Sequence, residues 1–304
     1  SMKLPQCQDR LIEEVLKVQP NVVVVLHNGS PVELPWADKV SAILEMYLGG
    51  QGVGEACDRL LYGEANPSGR LAETFPYRLE DNPSYLHFPG NGKRVLYGED
   101  IFVGYRYYDT KKVPVRYAFG HGLSYTEFAY GDLNLSSAQM TDEDILTVSF
   151  KVKNTGKTEG KEVVQLYVAD MCGISERPVK ELKGFAKVHL LPGEEKTVSM
   201  EISARDLSYY EERLGDWYAP SGTYRILIGH ASDDVRLHAD IIFETQKELP
   251  LCVDFTTTFG ELLDHTKTAP VITELLAPLA AAAASAEGMS DEYKKLGEQV
   301  IREM

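Results

Sequence analysis

Asn21-Val22-Val23-Val24-Val25-Leu26-His27-Asn28-Gly29-Ser30-Pro31 decides the architecture of the first part of the chain. The unbroken β-branched run Val22 to Leu26 lacks the polar alternation of a half-exposed strand. It is the pattern of a strand buried on both faces, and Asn28-Gly29-Ser30-Pro31 is the loop at its carboxyl end. Upstream, Pro5 can open a helix, and Leu11, Ile12, Val15 and Leu16 follow at helical spacing. Pro20 and Asn21 stop it. Downstream come a short helical turn over Trp36 to Lys39, a second short strand over Ala42 to Tyr47, the run Gly49-Gly50-Gln51-Gly52, a helix from Val53 to Tyr62 and a turn at Asn66-Pro67-Ser68-Gly69. Strand and helix in alternation predict a parallel sheet covered by helices, a flavodoxin-like half of an α/β sandwich over residues 1–75. Two parallel strands do not close a core, so further strands are expected upstream. The opening Ser1-Met2, with Ser no translation start, reads as an engineered beginning.

Residues 76–120 read as an irregular connection rich in Pro, Gly, Tyr and Asn. Tyr97, Phe102, Tyr105, Tyr107, Tyr108, Tyr117 and Phe119 make it unusually aromatic. Disordered linkers are poor in aromatics, so this one is expected to be ordered and pressed onto other domains. From 121 to 246 the pattern turns to short strands. Val148, Phe150 and Val152 alternate, as do Val198, Met200 and Ile202, and Tyr224, Ile226 and Ile228. Val163 to Val168, Glu181 to Val188 and Val235 to Phe243 complete the set, with turns at Asn154-Thr155-Gly156 and Pro192-Gly193. About seven strands at this spacing predict a β-sandwich, and the lack of a Cys…Trp…Cys pattern points to a fibronectin type III-like one. Residues 247–304 read as a helical tail. Thr257 or Thr258 caps a helix over Phe259 to Leu263, Pro270 starts a second that Ala280 to Ala284 continue, and Ser290 caps a third over Asp291 to Arg302.

The 304 residues are 43% hydrophobic and 25% charged, ordinary for a chain with packed cores, and the formal net charge of −15 disfavours nucleic acid and anionic membrane as partners. Cys7, Cys57, Cys172 and Cys252 are scattered, with no CxxC pair. They predict reduced core thiols, no zinc site and a cytoplasmic location. No cofactor is expected.

Glycosidase chemistry needs two carboxyl groups across a sugar ring. Glu99-Asp100 is the best local candidate, but neighbouring carboxylates in an extended segment point to opposite faces, which favours a structural role. His27 and Asn28 stand at the carboxyl end of a parallel strand, where ligand sites of open α/β sheets lie, and are the candidate substrate contacts. His121, between Gly120 and Gly122, reads as a turn or interface residue. Ser30 lacks a nucleophile elbow. The run from Gly49 to Gly54 has no following Lys-Ser/Thr, so it reads as close packing at a helix start rather than a phosphate loop. Trp36 and Trp217 could stack on sugars, although a buried Trp is the commoner case.

Several longer motifs occur in a fixed order. Asn21 to Val32 resembles the late strand of the α/β sandwich domain of family 3 glycoside hydrolases, and Asn66-Pro-Ser-Gly-Arg-Leu-Ala-Glu-Thr-Phe-Pro76 resembles that domain's end. Glu99-Asp-Ile-Phe-Val-Gly-Tyr-Arg-Tyr-Tyr-Asp109 is similar to the family's aromatic connection. Phe119-Gly-His-Gly-Leu-Ser-Tyr-Thr-Glu-Phe128 is similar to the entry into its fibronectin-like domain, whose turns Asn154-Thr-Gly156, Glu181-Leu-Lys-Gly-Phe185 and Leu191-Pro-Gly-Glu194 resemble. The resemblance covers Leu4 to Phe243. It implies a retaining, exo-acting β-glycosidase, with an upstream barrel domain carrying the Asp nucleophile and a Gly-Glu-Gly-x-Asp-Arg-like loop carrying the Glu acid/base. That loop normally precedes the segment matching Leu4-Pro5-Gln6. Glu13 and Glu14 lie on the helix and do not match it, so no catalytic residue is carried over and the chain alone is expected to be inactive. The implied substrate is a small β-linked oligosaccharide or glycoside. β-Glucosidase is the first expectation and β-xylosidase the alternative; the implied partner is the barrel domain. Two rival readings remain: a non-catalytic carbohydrate-binding module using the aromatics from Tyr97 to Tyr117, and one piece of a split enzyme.

Overall fold

The computed structural model describes residues 1–173, 176–250 and 253–284, with the backbone alone for 279–284. Ser1–Tyr209 with Trp217–Gln246 forms one compact unit; Tyr210–Asp216 joins the described residues from Lys247 onward in a second.

The first unit opens with α1 (Gln6–Leu16), β1 (Val23–Leu26), β2 (Ala42–Glu45) and α2 (Val53–Leu61). β1 and β2 pair in parallel, Val23 opposite Ala42 through Leu26 opposite Glu45. Leu26, Leu34, Trp36, Ala37 and Phe75 form their core, and the fully buried Trp36 donates its indole N–H to Asp9 Oδ1 at 2.9 Å. Full burial of the first strand is not realised. Only Leu26 is buried and Val23 is 50% exposed, because β1 has β2 on one edge, no further described strand on the other, and an α1 that buries none of its residues. The second strand stops at Glu45 rather than Tyr47, because Tyr47 takes a positive φ of 47° that ends the extended run.

The connection is more regular than its composition suggests. β3 (Phe75–Pro76) pairs antiparallel with β4 (Val115–Tyr117), and a helix, α3 (Tyr105–Lys111), lies between them. Clustered aromatics are poor helix formers in isolation, so packing rather than propensity holds α3. The Tyr105 hydroxyl accepts the Leu182 N–H at 2.7 Å, Lys180 pairs with Asp109, and Arg106 pairs with Glu181. Tyr97 departs from the expected packing and is 79% exposed.

The sandwich uses β5 (Phe128–Leu135), β6 (Gln139–Thr141), β7 (Ile145–Asn154), β8 (Gly160–Asp170), β9 (Glu181–Leu190) and β10 (Glu195–Ser203). A short α4 (Ala204–Leu207) and two short strands, β11 (Tyr209–Glu211) and β12 (Asp216–Tyr218), precede β13 (Gly222–Ala231) and β14 (Asp234–Glu244). One sheet runs β10-β7-β5 and the other β6-β14-β13-β8-β9. Val148, Phe150 and Val152 face Val164, Leu166, Val168, Tyr224, Ile226 and Ile228 across the core. Sequence periodicity missed β5, where a register shift between Gly131 and Asn134 breaks the alternation, and the three-residue β6.

From Val164 to Ala169, β8 is buried on both faces. Its outer side chains Gln165 and Tyr167 lie under the connection, where Tyr105 stacks on Phe119 with ring centroids 4.8 Å apart and meets Tyr167 edge-on at 5.9 Å. Gly120 sits directly on Gln165. Its φ is +82°, and a Cβ there would come within 2.3 Å of Gln165 Oε1.

Where the α/β segment, the connection and the sandwich meet, Glu162 is 0% exposed. Arg70 Nη2 donates to its Oε2 at 2.7 Å, the Tyr130 hydroxyl donates to Oε1 at 2.7 Å, and His230 Nδ1 lies against the same oxygen. His230 Nε2 donates to the Gly122 carbonyl at 2.8 Å. Beside this junction Asn66 donates to the Glu159 carbonyl and accepts from Ser124 and Tyr125. Asn154, equally buried, accepts from Thr126 and the Gly156 N–H and donates to the Thr158 and Leu190 carbonyls.

The second unit contains α5 (Phe259–Asp264), capped by Thr258 in a reciprocal capping box with Glu261, and α6 (Ala269–Ala284), with Pro270 in its first turn. The helix predicted over Asp291 to Arg302 lies outside the described residues. Cys7, Cys57 and Cys172 are free thiols, and none is fully buried: Cys7 is exposed and Cys57 half-buried, since α1 and α2 bury no side chain fully, while Cys172, just after β8, is half-buried against the sandwich core. Cys252 lies outside the described residues. No helix among the described residues is long and apolar enough to cross a membrane.

Candidate functional site

The register of β1 and β2 brings a polar cluster to one end of the sheet. Leu26 stands opposite Glu45, and the Met46 N–H donates to the Leu26 carbonyl at 2.9 Å, so the chain leaves both strands side by side. His27 points into solvent. Asn28 is half-buried; its Nδ2 donates to the Ser30 carbonyl at 2.8 Å and shapes the loop, while its Oδ1 is buried without a partner. Glu45 Oε1 accepts the Tyr47 N–H at 2.8 Å, and Glu45 Oε2 is buried without a partner. The Tyr47 hydroxyl is likewise buried and unpaired.

Glu73, from the Asn66 to Pro76 stretch, completes the group. Burial, reinforced by the charge of Glu45, pushes its carboxyl above the usual range. Burial also raises Glu45, against the opposing pull of the Tyr47 N–H, Asn28 and His27. The Tyr47 phenol is pushed up to about 12 by burial and by both carboxylates. Two carboxyls held toward the neutral form, beside three oxygens without donors, make a site that takes hydrogen-bond donors. Such atoms are not confined to this cluster: Arg70 Nε, Thr74 Oγ1 and Glu99 Oε2 are buried without a partner as well. Tyr47 adds a left-handed backbone to the same spot, a conformation that clusters at ligand sites.

Of the residues singled out from sequence, His27 and Asn28 belong to this cluster. Glu45, Tyr47 and Glu73 were missed. The first two could have been found by continuing past the second strand as was done past the first, because parallel neighbours present their carboxyl ends together. Glu73 carries no local signal; only tertiary folding brings it in.

The other candidates separate. Glu99 and Asp100 sit in a tight turn, with Asp100 at φ 49°, and not in the extended segment expected; the Phe102 N–H folds back onto the Glu99 carbonyl. His121 stacks on Tyr117 at 5.0 Å and its carbonyl accepts the Leu71 N–H, so it anchors the connection. Burial, ahead of nearby charges, lowers its pKa. Trp36 is sealed in the core, and Trp217 lies against the Arg205 guanidinium. The glycine run packs a helix start: a Cβ on Gly49 would lie 2.4 Å from Val53 Cγ2. Ser30 is exposed in the loop that Asn28 folds. Among the described residues no group of three or more His, Cys, Asp or Glu could hold a metal ion.

Comparison with known proteins finds relatives for both parts of the chain. Residues 1–125 match the glycosyl hydrolase family 3 C-terminal domain and residues 162–232 a fibronectin type III-like domain. The chain is 55% identical over 240 residues to thermostable β-glucosidase B of Acetivibrio thermocellus, an alignment covering 79% of this chain and 32% of that protein. It is 45% identical over 251 residues to a β-glucosidase of Kluyveromyces marxianus, covering 82% and 29% respectively. The crystal structure of a Bifidobacterium adolescentis β-glucosidase superposes with a TM-score of 0.82 at 37% identity, covering 90% of this chain and 40% of that one. The Kluyveromyces marxianus enzyme in complex with glucose superposes with a TM-score of 0.75 at 42% identity, covering 80% and 29%. The chain therefore spans about a third of the length of these relatives.

Proposed function

We propose that this chain, which belongs to glycosyl hydrolase family 3 and matches its C-terminal part, acts within a longer retaining β-glucosidase that removes terminal glucose from small β-linked glycosides. The observation that carries this reading is the 55% identity, sustained over 240 residues, to a β-glucosidase. The names of the relatives favour a glucoside over a xyloside. By family resemblance the catalytic Asp and Glu belong to the portion of those relatives that the matched third leaves uncovered. In this reading the chain supplies scaffold: the later strands of the α/β sandwich, the aromatic connection and the fibronectin-like domain. A barrel domain is its intramolecular partner. The three cysteines among the described residues are free thiols, which supports a cytoplasmic site of action.

The test is a paired assay on a chromogenic β-glucoside, comparing the chain with the longer enzyme. Turnover by the longer enzyme and none by the chain is the expected result. Turnover by the purified chain, abolished on changing Glu45 or Glu73, would overturn the scaffold assignment.

A further inference from the structure

We infer that His230 is a proton-dependent clasp: with a proton on each ring nitrogen it ties the end of β13 to Gly122 at the domain junction, and on losing one proton it lets that tie go.

The ring stands between two acceptors. Nδ1 lies against Glu162 Oε1, and Nε2 lies 2.8 Å from the Gly122 carbonyl oxygen. Neutral imidazole carries one N–H and one lone pair. It can serve only one of these oxygens and would turn its lone pair on the other, whereas the doubly protonated ring serves both. Glu162 is not the holder of the second proton. Arg70 Nη2 meets its Oε2 at 2.7 Å and the Tyr130 hydroxyl its Oε1 at 2.7 Å, contacts that favour the ionised carboxylate. Tyr130 keeps its own proton, because burial, ahead of the charge of Glu162, holds the phenol well above its ordinary range. The surroundings agree. Arg70 and Arg236 are the other cations at the junction, Asp233 and Asp234 the other anions, and His121 the other imidazole, which burial holds toward its neutral form. With His230 charged, three cations meet three anions where Glu162 is fully enclosed and only 20% of the His230 side chain is exposed.

Three ties join this end of β13 to residues 119–122. The Ser232 N–H donates to the Phe119 carbonyl at 2.9 Å, Gln165 Nε2 reaches both the Gly120 and the His230 carbonyls, and His230 Nε2 holds Gly122. Only the last depends on a titratable proton. Deprotonation leaves the remaining proton on the Glu162 side, where the acceptor is charged, so Gly122 is the partner released.

The test is NMR of the folded chain, isotope-labelled at the histidine ring nitrogens, with His230 assigned through its own side-chain protons. Both of its nitrogens should carry hydrogen at neutral pH. In parallel, hydrogen exchange is followed at the Ser232 and Leu71 amides, which bond to Phe119 and His121, from neutrality to about pH 9, beyond the ordinary imidazole range. Protection, corrected for base catalysis of exchange, should fall about tenfold or more over that span in the wild-type chain, the loss expected for one charge-assisted hydrogen bond. It should stay within about twofold in His230→Gln, whose amide has no proton to lose. Amides at the centre of β13, where it pairs with β8, report that the sandwich stays folded. A bare ring nitrogen at neutral pH, unchanged protection in the wild type, or an equal fall in His230→Gln overturns the inference. If the variant does not fold, the ring spectrum of the wild type decides by itself.

Discussion

Glu162 and Glu45 are both carboxylates drawn out of water within one compact unit, and the chain treats them oppositely. Glu162 has a guanidinium, a phenol and an imidazole directed at its two oxygens. Glu45 has one backbone N–H and an oxygen left over. Two asparagines repeat the contrast: Asn154 makes four hydrogen bonds, whereas Asn28 keeps a buried oxygen without a donor. Both oxygens of Glu162 are paired, although Arg70 Nε at the same junction is buried without a partner, whereas at the sheet mouth a carboxylate oxygen itself is left over. A buried carboxylate stabilises most when both of its oxygens are supplied with donors, so Glu162 contributes to the fold and Glu45 contributes little.

The sharpest way to break this contrast is Glu162→Ala. It strands Arg70, whose side chain is 6% exposed, together with His230, and should cost about 3–5 kcal/mol, read as a lowered urea midpoint. Asn154→Ala comes next. It leaves the Thr126 hydroxyl, the Gly156 N–H and two carbonyls unpaired, for an expected loss of about 2–3 kcal/mol in the same titration. Gly120→Ala probes how closely the connection approaches β8. A side chain forced to φ +82° against Gln165 should cost at least about 1–2 kcal/mol. At the sheet mouth the same measurement should barely move: Glu45→Gln is expected within about 0.5 kcal/mol of wild type at neutral pH, or above it. A cost near that of Glu162→Ala would erase the distinction.

Acidity sharpens the comparison further. Burial raises Glu45 and Glu73 above the ordinary 4.5, so the folded state takes up protons more readily than the unfolded chain. Their stabilising contribution is complete below pH 4.5 and is lost as pH rises through the folded values. Glu45→Gln should therefore flatten the decline in stability between pH 4.5 and neutrality, as followed by urea midpoints across that range.

Much of the fold is legible in the residues. The β-branched run at Val22 to Leu26, the helices flanking it and the alternating strands of the sandwich follow from local periodicity. α3 and β5 do not, because aromatic packing on β8 and polar bonds to β9 hold one and a register shift disrupts the alternation of the other. The site was half legible. Asn28 announces itself at a strand end, but Glu73 arrives from the far side of α2, and no spacing rule connects it to Glu45. The junction was wholly illegible: Arg70, Gly122, Glu162 and His230 are distant in sequence, and each alone reads as an ordinary surface or turn residue.

β8 has no outside. Sandwich strands usually offer evolution one forgiving face, where side chains drift freely while the inward set is held. Here Gln165 and Tyr167 are as enclosed as Val164 and Leu166. In a saturation scan read by abundance, neighbouring positions from Val164 to Ala169 should be equally intolerant, without the two-residue rhythm of a strand, and that rhythm should return in β10, where exposed and enclosed positions alternate.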